Sequence, residues 1–128
     1  VVRRDARTVG FDAERLAGQF LKRQGLISVT RNFRCRLGEI DLIMWDDDCL
    51  AFIEVRYRAS NRFSQAGLTV DIHKQRKLIR TAAFFLAKQS QYADSVVRFD
   101  VLAIDADDRG EKTIDWIKDA FRPADSSL

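Results

Sequence analysis

Two strand-like runs, Leu37 to Trp45 and Leu50 to Arg58, flank the triplet Asp46-Asp47-Asp48. Acidic residues suit a tight turn, because their short side chains bond back to the chain and tolerate unusual backbone angles. With Asp47-Asp48 as a two-residue loop, Asp46 pairs with Cys49, and the later rungs end by setting Asp41 opposite Glu54. One face of this hairpin then carries Ile43, Trp45, Leu50 and Phe52. The other carries Ile40, Leu42, Met44, Ala51, Ile53 and Val55. A hairpin apolar on both faces belongs in the middle of a sheet covered on both sides. The rest of the chain therefore has to supply helices for two faces.

It offers two. From about Val9 to Gln24, Ala13, Leu16, Ala17, Phe20 and Leu21 fall on one stripe at helical spacing, with Gly25 as a stop. From about Val70 to Gln89, Ile72, Leu78, Ile79, Ala82, Phe85 and Leu86 form a second stripe. A short strand at Leu26 to Asn32 precedes the hairpin, and a polar loop at Ala59 to Gln65 comes after it. Strands at Val96 to Asp105 and Lys112 to Ile117, with a short segment to Phe121, complete the order α-β-β-β-α-β-β. The fold class is α/β, a mixed central sheet flanked by helices. With 128 residues there is room for one domain, 10–121, between a basic arm at 1–9 and a tail at 122–128.

Net charge is only +3, but it is segregated. Residues 1–36 hold nine Lys/Arg against three Asp/Glu, residues 37–55 six acids and no base, and residues 56–80 seven bases against one acid. An acidic strip between basic blocks suits a cation centre flanked by polyanion-binding arms, or ordinary solvated surface. Two cysteines and one histidine are too few for a structural zinc site, which needs about four N/S ligands. No apolar run approaches the roughly 18 residues of a membrane span. Val1-Val2-Arg3-Arg4-Asp5 has no apolar leader core, so the expectation is a cytoplasmic protein with no membrane partner.

Like charges facing each other across a ladder are costly, and burial raises the pKa of one of them. A divalent cation would relieve Asp41 and Glu54; so would ion pairs with Arg34, Arg36 or Arg56. Glu14, at the border of the first helix's stripe, points a third carboxylate toward the pair or simply favours the helix N-terminus. Gln75 sits in the second helix's apolar stripe and Lys74 at its edge. His73, Arg76, Lys77 and Arg80 form a basic ridge that suits phosphates or plain solvent.

These residues carry a family likeness: Gly10-Phe11-Asp12-Ala13-Glu14, then Arg31-Asn32-Phe33-Arg34-Cys35-Arg36, Gly38-Glu39-Ile40-Asp41-Leu42-Ile43, Phe52-Ile53-Glu54-Val55-Arg56-Tyr57-Arg58, Lys74-Gln75-Arg76 and Arg98-Phe99-Asp100-Val101. From Gly10 to Phe121 the chain resembles the YraN family of small bacterial endonuclease-like proteins. That family is similar to PD-(D/E)xK nucleases, archaeal Holliday-junction resolvases above all. The resemblance implies a restriction-endonuclease-like core. Asp41 would be the Asp of the motif, Glu54 the acid of ExK and Glu14 the helix glutamate. Arg56 falls where the family usually has lysine. Arginine keeps its proton at any accessible pH, so it can stabilise charge but not act as a base.

By that resemblance the chain would be a Mg²⁺- or Mn²⁺-dependent DNA endonuclease using one or two ions, acting on branched or repair intermediates. Asp41, Glu54 and the Val55 carbonyl would hold metal, and Glu14, Arg56, Lys74 and Gln75 would complete the catalytic set. Arg34, Arg36, Arg58, Arg62, His73, Arg76, Lys77 and Arg80 would hold phosphates. The likeness to dimeric resolvases implies a homodimer. The rival expectations are a catalytically idle nucleic-acid-binding module and a scaffold for protein partners.

Overall fold

The computed structural model describes residues 6–58 and 70–123, with side chains from residue 12 onward. Helix α1 (Ala6–Arg23) is followed by strands β1 (Ile27–Cys35), β2 (Gly38–Asp46) and β3 (Cys49–Arg58). Helix α2 (Ile72–Lys88), a 3₁₀ turn at Ser90–Tyr92, and strands β4 (Val96–Ala106) and β5 (Lys112–Phe121) complete it. The five strands form one sheet in the order β1-β2-β3-β4-β5. The β3–β4 pair is parallel and the other three pairs are antiparallel. This is an α/β fold with a mixed sheet between two helices, compatible with a restriction-endonuclease-like core.

The two faces bury separate cores. Ala13, Ala17 and Leu21 of α1 pack on Leu42, Met44, Ala51, Ile53, Leu102 and Ile104. Alanines at the contact let the helix lie close to the sheet. The helix ends in a Schellman motif: Leu26 N–H donates to the Leu21 carbonyl and Gly25 N–H to that of Lys22, each at 3.0 Å. Gly25 takes φ 100°, open to glycine at no steric cost. On the opposite face Leu78, Ile79, Ala82 and Phe85 of α2 pack on Ile43, Leu50, Phe52, Phe99 and Val101. Asp71 caps α2, accepting from Lys74 N–H at 2.9 Å. Ile72, expected in the buried stripe, is 52% exposed: it lies in the first turn, beyond the edge of the core.

The Asp-turn hairpin has the register its turn dictates, from Asp46↔Cys49 to Leu42↔Ile53. Asp47 adopts φ 54° there. Pairing stops after Leu42↔Ile53, so the Asp41–Glu54 rung does not form. Alternation breaks at the same place: Ile40 packs with the α2-side core, not with Leu42 and Met44. Beyond the break β2 continues with β1 alone, which runs past Asn32 to Cys35 and closes a second hairpin at Cys35↔Gly38. The tip of that hairpin rests on α2. Gly38 has φ 152°, and a Cβ there would meet the buried Thr81 Oγ1 at 2.9 Å and Lys77 Cγ and Cε at 3.2 Å. Thr81 cannot yield, since its hydroxyl donates to the Lys77 carbonyl at 2.8 Å. Gly38→Ala is therefore expected to cost about 1–3 kcal/mol. Urea unfolding checks this, and a loss below about 0.5 kcal/mol would mean that the tip is not seated on the helix.

At the far end, β5 runs on through Ile117 to Phe121, because Asp100 bridges an irregularity. Its buried carboxylate accepts from Asp119 N–H at 2.9 Å, from Trp116 Nε1 at 3.1 Å, and from Arg98 Nε and Nη2 at 2.8 Å each. Arg98 also reaches Asp46 at 3.0 Å. These bonds hold its guanidinium firmly charged.

Candidate functional site

The end of the β2–β3 ladder gathers the acids. Where Asp41 leaves the pairing, its side chain takes over from the backbone: Oδ2 accepts the Val55 N–H at 2.8 Å. In a strand the N–H and C=O of one residue face the same edge. The Val55 carbonyl therefore also faces the side on which Asp41 lies, beyond the last β2 rung. The Asp41 carboxyl hydrogen-bonds Glu54 on β3 and Glu14 on α1, and Glu14 also bonds the Asn32 side chain of β1. Four elements thus meet at one point.

The electrostatics reflect that crowding. Burial, then the charge of Glu54, pushes the Asp41 pKa up to about 8, against the opposing pull of the Val55 N–H. Burial also raises the Glu14 pKa, with the Asn32 and Asp41 hydrogen bonds pulling the other way. One cation answers this charge directly. Lys74 Nζ, from α2, lies 3.2 Å from Oε2 of Glu54, whose side chain is only 11% exposed.

The three carboxyls form a chain rather than a ring. Among the described residues, no three His, Cys, Asp and Glu side chains make a ready metal cage. Mg²⁺ does not require one, since it binds through one or two carboxylates and keeps several waters. The hard oxygens of Asp41 and Glu54 fit such an ion, which would take the place of the proton that Asp41 holds near neutral pH.

Arg56 points from the same face of β3 as Glu54, and its Nε is buried with no acceptor among the described residues. A buried donor without a partner is unusual and suits an incoming anion. Arg34 and Arg36 are exposed on the β1–β2 hairpin, with Arg34 Nε 3.0 Å from Glu39 Oε2. Lys77 is exposed beside Gly38. His73, Arg76 and Arg80 are exposed along α2.

Two expected residues are engaged elsewhere. Arg58, expected to meet phosphate, is held by Asp105: Nη2 donates to Oδ2 at 2.7 Å and Nε lies 2.5 Å from Oδ1. Its side chain is 16% exposed, so it braces β3 against β4. Gln75, expected to face the acids, donates instead to the Val70 carbonyl at 2.7 Å and ties down the start of α2. Arg62 lies outside the described residues. Asn32 was missed as a site residue. Its signal was an asparagine inside a strand-like run, and it adopts φ 54°, a conformation Asn tolerates better than most side chains do.

Residues 13–104 match the model of the family described as Uncharacterised protein family UPF0102. The chain belongs to the UPF0102 family. A UPF0102 protein of Alcanivorax borkumensis is 44% identical over 118 residues, covering 92% of this chain and 94% of its own length. A UPF0102 protein of Nitrosomonas europaea is 46% identical over 112 residues, covering 88% and 92%. One of Coxiella burnetii is 46% identical over 113 residues, covering 88% and 91%. The YraN resemblance and the UPF0102 match are one family. The matched span contains Glu14, Asp41, Glu54, Arg56 and Lys74, and so every element of the acid site. Among the described residues of this UPF0102 protein, no helix is long and apolar enough to cross a membrane.

Proposed function

We propose that this UPF0102 protein is a divalent-metal-dependent endonuclease that hydrolyses phosphodiester bonds in DNA. The observation that carries the reading is the convergence of Asp41, Glu54 and Glu14 where the β2–β3 ladder ends, a crowded carboxyl cluster with cationic groups beside it. Asp41, Glu54 and the Val55 carbonyl would hold Mg²⁺ or Mn²⁺. The ion would activate water and neutralise charge on the leaving oxygen. Asn32 and Val55 N–H orient the carboxyls. Lys74 stands against Glu54 and can offer its ammonium to a phosphate oxygen. Arg56, whose Nε has no acceptor among the described residues, would supply a second donor to the same charge. Arginine stays protonated, so the proton from water has to leave by another group, of which the linked carboxyls are nearest.

The direct test incubates the pure protein with branched, single-stranded and duplex DNA, with Mg²⁺ or Mn²⁺ and with EDTA. Metal-dependent products are expected; none on any substrate would refute the enzyme. Lys74→Ala should slow cleavage by roughly 10²-fold, the cost of removing one donor to developing charge. Arg56→Lys should retain activity where Arg56→Ala does not. Equal rates in all three variants would remove both residues from the chemistry.

Arg56 at the usual lysine position favours a second reading, an idle nucleic-acid-binding module. That reading predicts salt-sensitive DNA binding, with log affinity falling linearly against log salt, and no product under any metal.

A further inference from the structure

Next to the acids a cleft of about 410 Å³ opens between the tip of the β1–β2 hairpin and α2. Arg34, Arg36 and Glu39 line it from the hairpin, and Lys74, Lys77 and Leu78 from the helix. Four cations face one carboxylate. Lys74 belongs to both sites, since it also contacts Glu54. The walls are set at a fixed spacing: Gly38, lacking a Cβ, lets Lys77 and Thr81 lie directly against the hairpin. The one acid is loosely committed. Arg34 and Glu39 pair at 3.0 Å with side chains 62% and 55% exposed, and such surface pairs are worth little. A phosphate could displace Glu39 from Arg34 at small cost.

The volume favours one strand. About 410 Å³ takes a short stretch of a single backbone, whereas a duplex could only lie across the mouth of the cleft. Among the described residues no aromatic side chain lines the cleft, which offers bases no stacking platform from them and leaves recognition to phosphates. The geometry points to this cleft as the seat of one unpaired DNA strand, its phosphates running between Arg36 and Lys77 toward Asp41 and Glu54. This rests on the nuclease reading for what happens to the strand, but not for its binding. It names the substrate class: DNA with a single strand at the cutting point, such as an overhang, a flap or an opened branch.

The experiment is fluorescence anisotropy of the full chain in EDTA, where nothing is cut. The probes are a single-stranded oligonucleotide, the blunt duplex of that sequence, and the duplex with an overhang. The single strand and the overhang should bind at least tenfold tighter than the blunt duplex. Arg36→Gln and Lys77→Gln, both on exposed positions, should each weaken single-strand binding about fivefold and lower the salt slope by about 0.7. Glu39→Gln should tighten it. Arg109→Ala, the same loss of charge in the distant β4–β5 turn, should change nothing. Equal affinity for blunt duplex, or wild-type affinity in both cation variants, overturns the cleft. The two readings fail separately. Tight single-strand binding with no product under any metal removes the nuclease and keeps the cleft. Metal-dependent products with unaltered binding in both variants do the reverse.

Discussion

Asp41→Asn is expected to abolish metal-dependent cleavage and, in EDTA at neutral pH, to make the protein more stable. On the proposed reading, loss of a metal-binding oxygen would account for the first effect. The second comes from linkage. The Asp41 carboxyl has its pKa raised from an ordinary 3.8 to about 8 in the folded chain. Between those values the folded state holds a proton that the unfolded state has released. Stability without metal is therefore full below about pH 4 and falls as pH rises toward 8, then levels off. At pH 7 the accumulated loss is on the order of a few kcal/mol. Asparagine carries no proton to lose, can still accept from Val55 N–H, and can donate to Glu54. Melting curves from pH 4 to 9 in EDTA should slope downward for wild type and much less for the variant. Added Mn²⁺ should raise the wild-type midpoint and leave the variant nearly unmoved, because only a ligand bound by the folded state stabilises it. A variant that melts below wild type at pH 7 to 8, or that still cuts, would contradict this account of the site.

Asp100→Ala should be the most damaging substitution to the fold, by about 3–5 kcal/mol. The carboxylate is 1% exposed and accepts four hydrogen bonds from Arg98, Trp116 and Asp119. Removing it leaves the mostly buried Arg98 with only Asp46, and leaves the Asp119 N–H with nothing to hold the β5 irregularity closed. Asp100→Asn should fall between, keeping one acceptor but losing the two-point grip on the guanidinium. Denaturant unfolding measures both. A change under about 1 kcal/mol for alanine would mean that β5 is held by its apolar contacts alone. Asp100 pairs with Ile53, next to Glu54, but its carboxylate bonds Arg98, Trp116 and Asp119 and none of Glu14, Asp41 or Glu54, so on the proposed nuclease reading the fraction that remains folded should still cleave DNA.

The parts of the fold that were legible are those set by short-range rules. The Asp-rich turn fixed the hairpin register down to Leu42↔Ile53, and the apolar stripes of the two helices found their faces. The same arithmetic failed one step later, at Asp41 and Glu54, because no local signal in β2 says that it abandons β3 and stays with β1. Ile40 went to the wrong layer for that reason. The second hairpin was hidden because Arg36-Leu37 has no turn chemistry, and its support comes from Thr81 and Lys77, some forty residues away. Arg58 and Gln75 were legible as polar groups near the site but not as groups already satisfied, since Asp105 and the Val70 carbonyl are brought to them by tertiary packing. The two acids were found by way of a rung that does not exist. They meet because a side chain of one strand replaces the missing backbone partner of the other.

Glu14 comes from the helix on one face of the sheet, and Lys74 from the helix on the other. The charge set therefore spans all three layers of the molecule, and no two layers contain it. A nascent or half-folded chain, with either helix undocked, holds at most a fragment of it. On the proposed nuclease reading, chemical competence would arrive in one step with the last layer to close, and the immature chain would be harmless to the polymer it cuts.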